Sequence, residues 1–250
     1  PDAVSDKKNC AGYIYSSEEK SRLLNECGIR NIFSVSFKEV CGFSGEDFVK
    51  KILIDKMNAG FVCCGNDFRF GNGAVCNSDD LHKFGRKYGF EVYNADDIKW
   101  EGITVSSTEI RKFLLDGDVI KACQFLGRPY NVNKEVVHGA HLGSTIGFPT
   151  VNQIFDKGQL VPKFGVYASD TFIDGHWYRA MTNIGMKPTV NYGGMPLAET
   201  YIYGFSGDLY GRVIQINIRE FIRSEQKFRS VDELKQQIAE DIENINNILL

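Results

Sequence analysis

The chain has 250 residues, 43% hydrophobic, 12% aromatic and 24% charged, which is enough apolar surface for a packed core and excludes a largely disordered chain. Its 29 Lys and Arg against 32 Asp and Glu leave a formal charge of −3. That balance offers no broad basic field to a nucleic-acid backbone and leaves room only for a local basic pocket around a small phosphate. No apolar run approaches the roughly 18–20 residues of a membrane span, and no signal-peptide pattern opens the sequence. The seven cysteines are odd in number and contain no C-x-x-C; six precede residue 80 and the last is Cys123. This is neither a disulfide framework nor a zinc pattern; it predicts buried thiols in a reducing, cytoplasmic setting.

Taken in chain order, Ser16 and Glu19 form a capping-box pattern that opens a helix which Gly28 can close. Ile32 to Phe37 reads as a strand. Ser44 with Asp47 starts a second helix, carrying Phe48, Ile52 and Leu53 and stopping near Gly60. Phe61 to Cys64 is a short buried-strand run, followed by a helix from about Asp79 to Tyr88 and a strand from Phe90 to Tyr93. Such alternation predicts a doubly wound α/β fold, a parallel sheet with helices on its faces. The period changes after Leu126-Gly127-Arg128-Pro129. Short strands follow: Val132–His138, Gly165–Phe172, Trp177–Ile184, Ala198–Tyr203 and Val213–Phe221, with Asp174-Gly175 as a hairpin turn. Ser230 and Glu233 then cap a final helix with Val231, Leu234, Ile238, Ile242, Ile245 and Leu249 on one face. The second half is expected to be a small antiparallel β-barrel with a C-terminal helix, and a boundary is placed at residue 128.

The densest local signal is the segment from Gly139 to Asn152. Its glycines allow backbone N–H groups to approach phosphate oxygens. If the piece after Pro149 is extended, Thr150 and Asn152 face one side, and a hydroxyl with an amide oxygen is a hard ligand pair suited to Mg²⁺. Glycine spacing alone favours an ordinary hairpin loop. His138 and His141 form H-x-x-H, but no third ligand is near, and contact with solvent or nucleotide is the better reading. Tyr192, Tyr201, Tyr203 and Phe205 could stack on a flat ring system, although aromatics on barrel strands usually belong to the core. Tyr201 and Tyr203 share the face of Glu199 if that strand is regular.

Gly147-Phe148-Pro149-Thr150-Val151-Asn152 resembles the G-F-P-T-A-N signature of riboflavin kinases, with Val in place of Ala. Further segments follow in that family's order: Gly165-Val166-Tyr167-Ala168, Asn183-Ile184-Gly185 with Pro188-Thr189, Glu199-Thr200-Tyr201-Ile202, Asp208-Leu209-Tyr210-Gly211, and Ile222 to Phe228. In the first half, Gly65-Asn66-Asp67-Phe68-Arg69-Phe70-Gly71 and Val105-Ser106-Ser107-Thr108-Glu109-Ile110-Arg111 resemble two motifs of the nucleotidyltransferase module of bacterial bifunctional FAD synthetases. Ser107 and Thr108 at a helix start with Arg111 one turn on make a plausible triphosphate cradle; simple N-capping is the plain alternative.

The resemblance implies a two-module flavin-cofactor enzyme: an FMN adenylyltransferase in residues 1–128 and a self-contained riboflavin kinase in 129–250. The kinase would move the γ-phosphoryl group of ATP to the 5′-hydroxyl of riboflavin, giving FMN. Glu199 would be the base, Thr150 and Asn152 the Mg²⁺ ligands, Gly143 and Gly147 the shapers of the nucleotide loop, and Arg223 a border of the flavin pocket. In the first module, Asn66 and Asp67 would meet flavin or nucleotide, and Ser107, Thr108 and Arg111 the phosphates of ATP, so that AMP transfer to FMN gives FAD. The family's N-terminal histidine segment has no counterpart here, and the chain starts at Pro1. The first module is therefore read as N-terminally incomplete, and FAD formation is expected only where that segment is present. The alternative is a kinase whose first half binds flavin or nucleotide without chemistry. The implied partners are small molecules (riboflavin, FMN, ATP), with no nucleic acid and no membrane.

Overall fold

The computed structural model of the chain describes residues 12–139, 146–186 and 194–248. These divide into two compact units, one of residues 24–105 and another joining 12–23 to 106–248. The strands of the second unit start near the expected change of period, but the helices just before it pack with those strands. Helix α5 (Ser107–Asp116) and helix α6 (Val119–Leu126) bury Phe113, Leu114, Val119, Ala122 and Phe125. The Lys163 amide donates to the Leu114 carbonyl at 3.0 Å. A change of period marks where strands begin; it does not say which core the preceding helices join.

In the first unit, the short helices α2 (Phe37–Val40) and α3 (Gly45–Phe48) precede a π-helical stretch, Val49–Ile54. Ser44 caps α3 as expected, accepting from the Asp47 amide. Strand β1 (Phe61–Gly65), helix α4 (Ser78–Tyr88) and strand β2 (Glu91–Ala95) form a βαβ unit with parallel pairing of Phe61 to Glu91 through Gly65 to Ala95. Asn77 and Asp80 close a full capping box at the start of α4. Val49, Leu81, Phe70 and Phe90 are the centre of this core. A small antiparallel pair, β3 (Lys99–Trp100) and β4 (Ile103–Thr104), follows.

Two expectations are corrected in this unit. Residues 32–36 form no strand, and Phe37 already opens α2; Ile32 and Phe33 are 42% and 50% exposed. A β-rich run becomes a strand only where a neighbour takes its backbone hydrogen bonds, and this segment pairs with none among the described residues. The cysteines are not uniformly buried either: Cys27, Cys41 and Cys63 are exposed free thiols. Cys63 sits on the outward face of β1, where strand alternation puts every second side chain.

The second unit is built on a six-stranded antiparallel sheet. Its strands are β5 (Tyr130–Glu135), β6 (Thr150–Ile154), β7 (Gly165–Ile173), β8 (His176–Met186), β9 (Pro196–Ile202) and β10 (Val213–Arg223), in the order β5-β10-β7-β8-β9-β6. The sheet curls into a half-barrel. Edge strands β5 and β6 share no ladder; an isolated bridge between Val137 and Asn152 spans the gap. Gln153, fully buried on β6, reinforces it. Its amide nitrogen donates to the carbonyls of Lys134 at 2.7 Å and Ile214 at 2.8 Å. The interior is lined by Tyr130, Val132, Ile216, Ile218 and Ile184. A chain of buried hydroxyls also runs through it, Ser169 to Thr182 at 2.7 Å and Thr182 to Thr200 at 2.9 Å. Asp174 and Gly175, both with positive φ, make the β7–β8 hairpin turn.

Helix α7 (Val231–Ile248) closes the chain, with Ser230 accepting from the Glu233 amide at 3.1 Å. Helix α1 (Ser17–Glu26) opens the described region. Its Glu19, 8% exposed, holds Arg22 and Asn133, and these partners keep its carboxyl below the usual range.

Candidate active site

The site grows from strand register. Across antiparallel strands, directly opposed residues share a face. Asn152 on β6 lies opposite Glu199 on β9, Glu199 lies opposite Asn183 on β8, Asn183 opposite Val166 on β7, and Val166 opposite Arg223 on β10. One row thus carries Asn152, Glu199, Asn183, Val166 and Arg223 across five strands. The next row sets Thr150 opposite Tyr201 and Tyr201 opposite Met181. Two register shifts in β10, after Ile218 and after Phe221, are the bulges that bring Arg223 into this row.

A cavity of about 220 Å³ lies on this face. Thr150, Asn183, Glu199 and Arg223 form its floor, Phe148 and Tyr201 one wall, and Leu234 and Ile238 of α7 another. The Phe148 and Tyr201 rings meet edge to face, 5.4 Å apart at 89°. A second cavity, of about 240 Å³, is lined by Pro149, Thr150, Thr200, Asp208, Leu209 and Tyr210. Thr150 is common to the linings of both. Beside the second cavity, His138 stacks on Tyr210 of its lining, with ring centroids 3.8 Å apart.

Arg223 lines the first cavity, but its guanidinium is largely committed. Its Nε donates to both Asp241 carboxylate oxygens at 2.9 and 3.0 Å, and Nη2 donates at 2.7 Å. Asp241, on α7, is 1% exposed, and Gln237 donates to it as well. The pair ties α7 to the end of β10. Gly165 lets β7 lie close against the end of β10: at φ +153°, a Cβ there would lie 2.2 Å from the Arg223 carbonyl oxygen. The sequence held a signal for Asp241, because it occupies a place in the apolar stripe of Leu234, Ile238 and Ile245 where an unpaired carboxylate would be costly.

Thr150 and Asn152 are the candidate metal ligands. Both sit on the Glu199 face of β6, and Asn152 is 6% exposed. The backbone at Gly139 lies directly on its amide: a Cβ at Gly139 would fall 2.3 Å from Asn152 Nδ2. Among the described residues no three His, Cys, Asp or Glu side chains cluster, so no all-carboxylate cage is built. Thr150 lines both cavities and Asn152 neither; a hydroxyl and an amide oxygen on one strand face are hard oxygen ligands of the kind Mg²⁺ takes beside water and substrate oxygens.

Gly147 occupies a turn at φ +94°; Gly143, His141 and Tyr192 lie outside the described residues. Tyr201 shares the Glu199 face as expected. Tyr203 lies just past the end of β9, its ring 5.3 Å from that of Tyr201, and both border an open groove with Trp177 and Asn246; burial pushes the Tyr203 hydroxyl pKa up. In the first unit, Asn66 and Asp67 are exposed in the turn after β1. In the second, Ser106 is the N-cap of α5, accepting from the Glu109 amide, which leaves Ser107 and Thr108 exposed in the first helical turn. Arg111 Nε donates to the Gly12 carbonyl at 2.8 Å.

Comparison with known proteins gives this geometry its class. Residues 126–249 match the riboflavin kinase family model and residues 1–109 the FAD synthetase model. The bifunctional riboflavin kinase/FMN adenylyltransferase of Escherichia coli K12 is 38% identical over 225 residues, covering 89% of this chain and 71% of that protein. The enzyme of the same description from Buchnera aphidicola of Acyrthosiphon pisum is 37% identical over 239 residues, covering 94% and 76%. A solved structure from Streptococcus pneumoniae, described as a macrolide-efflux protein, superposes with a TM-score of 0.82 at 32% identity, covering 94% of this chain and 75% of that one. The chain belongs to the bifunctional riboflavin kinase/FMN adenylyltransferase family. Among the described residues no helix is long and apolar enough to cross a membrane.

Proposed function

We propose that riboflavin kinase activity belongs to the six-stranded sheet and α7 of the second unit and that phosphoryl transfer takes place beside Thr150, which lines both cavities. The protein is an enzyme of flavin biosynthesis with riboflavin kinase and FMN adenylyltransferase activities, as its two family matches indicate. The observation that supports the site is the position of Glu199, opposite Asn152 in register and beside Thr150, which lines both spaces. The first cavity, with its aromatic and aliphatic walls, takes riboflavin. The second takes the ATP phosphates.

In this arrangement Glu199 accepts the proton of the riboflavin 5′-hydroxyl as that oxygen bonds to the γ-phosphorus. Little else is asked of the protein, because phosphoryl transfer depends mainly on alignment and charge neutralisation. Thr150 and Asn152 would hold Mg²⁺, which supplies charge neutralisation on the phosphate oxygens when bound. The apolar walls exclude water that would compete as acceptor. Gly143 and Gly147 shape the nucleotide loop, and Arg223, fixed by Asp241, borders the flavin. The kinase function is proposed to reside in residues 129–250.

For adenylyl transfer, Asn66 and Asp67 are proposed to contact flavin or nucleotide. Ser107 and Thr108 offer hydroxyls and a helix N-terminus to ATP phosphates, and Arg111 adds positive charge. The setting is cytoplasmic.

The test is chromatographic separation of FMN and FAD after incubation with riboflavin, ATP and Mg²⁺. Glu199→Gln keeps the side-chain shape but takes no proton, so kcat for FMN formation should fall about 10²–10⁴-fold, with riboflavin affinity retained. Near-normal turnover in this variant would make Glu199 structural.

A further inference from the structure

Asn183 is half-buried, lines the first cavity and lies directly opposite Glu199. Of the other polar side chains lining that cavity, Arg223 and Asp241 hold each other, and Thr150, Glu199, Glu225 and Gln226 are also in the lining; Thr182 and Thr200, one residue along their strands, bond each other. The Asn183 backbone is paired on both sides within the sheet, while its side-chain amide makes no hydrogen bond to another described residue. An amide carrying two donors and one acceptor therefore faces the cavity one strand away from the proposed base.

We infer that Asn183 is the residue that recognises the polyol chain of the acceptor; the inference rests on the reading of this cavity as the flavin site. Adjacent strands stand about 4.8 Å apart, so a substrate whose terminal hydroxyl lies at Glu199 presents its next hydroxyls at Asn183. A hydroxyl is both donor and acceptor, and an amide can satisfy either role. Recognition is then divided between the two kinds of wall. The aromatic and aliphatic side chains take the flat ring, and Asn183 selects for a hydroxylated chain and sets its reach toward Glu199. A flavin without hydroxyls gains nothing from Asn183.

The experiment compares riboflavin with lumiflavin, which carries the same ring and a methyl group in place of the ribityl chain. Binding of each to the full chain is followed by flavin fluorescence, for wild type, Asn183→Leu and Asn183→Ser. Leu has nearly the size of Asn and makes no hydrogen bond; Ser restores one donor and one acceptor. Asn183→Leu is expected to weaken riboflavin about tenfold, the scale of one lost hydrogen bond, while lumiflavin affinity stays as in wild type. Asn183→Ser should recover part of the riboflavin affinity. In kinetics the loss should fall on KM more than on kcat, the reverse of Glu199→Gln. Equal weakening of both flavins, or unchanged riboflavin affinity in Asn183→Leu, would overturn the assignment while leaving the cavity reading intact. If Asn183→Leu does not fold, Asn183→Ser decides by the same comparison. If wild type binds neither flavin, the cavity reading falls and the inference with it.

Discussion

At the residue scale, the site depends on how few side chains remain uncommitted on a crowded sheet face. Thr150 and Asn152 carry the proposed Mg²⁺ contacts, and each can be altered without changing the strand. Thr150→Val keeps β-branching and volume while deleting the hydroxyl, and Asn152→Leu removes the amide oxygen. Each should raise the Mg²⁺ concentration needed for half-maximal FMN formation, with riboflavin binding unchanged. Titration of activity against Mg²⁺, beside flavin fluorescence, checks both; a Mg²⁺ dependence identical to wild type at either position removes the metal role there. Glu199 was legible in the sequence through its place in a recognisable segment. Asn183 and Asp241 were not singled out, because their importance lies in what stands opposite them, and register and helix docking are properties of the folded chain.

At the element scale, the weak point is β6. This five-residue strand carries Thr150 and Asn152, pairs fully with β9 on one side, and on the other is held by one isolated bridge and by the Gln153 amide. Replacing Gln153 by Leu leaves two buried carbonyls without their donor, which costs about 1–3 kcal/mol. It also frees the outer edge of β6. The expected outcome is a lower thermal midpoint together with a raised Mg²⁺ requirement, and Gln153→Glu at low pH, where the protonated acid can donate once, should recover part of both. A loss of stability with unaltered Mg²⁺ dependence would show that the strap does not position the ligand strand. The same scale explains the missing strand at 32–36. Apolar alternation is a local property, whereas the hydrogen-bond partner that makes a strand is not.

At the scale of the whole molecule, helices α5 and α6 set where a stable kinase fragment should start. A fragment starting at residue 129 loses α5 and α6, whose Leu114, Val119 and Ala122 are at most 1% exposed. Each large buried side chain is worth roughly 1.5–3 kcal/mol, so a fragment of 129–250 should melt about 10 °C or more below one of 106–250. The longer fragment should form FMN at a rate close to the full chain. Calorimetry and FMN assay of the two fragments test this, and equal melting points would show that the two helices add nothing to the barrel.

By itself the sequence determined the two-module plan, the capping residues of α1, α3, α5 and α7, the strands after residue 130, and the segments that carry Thr150, Asn152 and Glu199. These are local: a cap, a two-residue period or a short motif is complete within a few positions. Only the tertiary structure decided that Asn152, Glu199 and Asn183 stand in one row, that Thr150 lines two cavities, and that the guanidinium of Arg223 is held by Asp241. It likewise decided that β5 and β6 are joined by a side chain where a ladder would close a full barrel, and that α5 and α6 pack with the strands after them. Each of these depends on which distant segments come within hydrogen-bond or van der Waals reach, and chain order does not encode that distance.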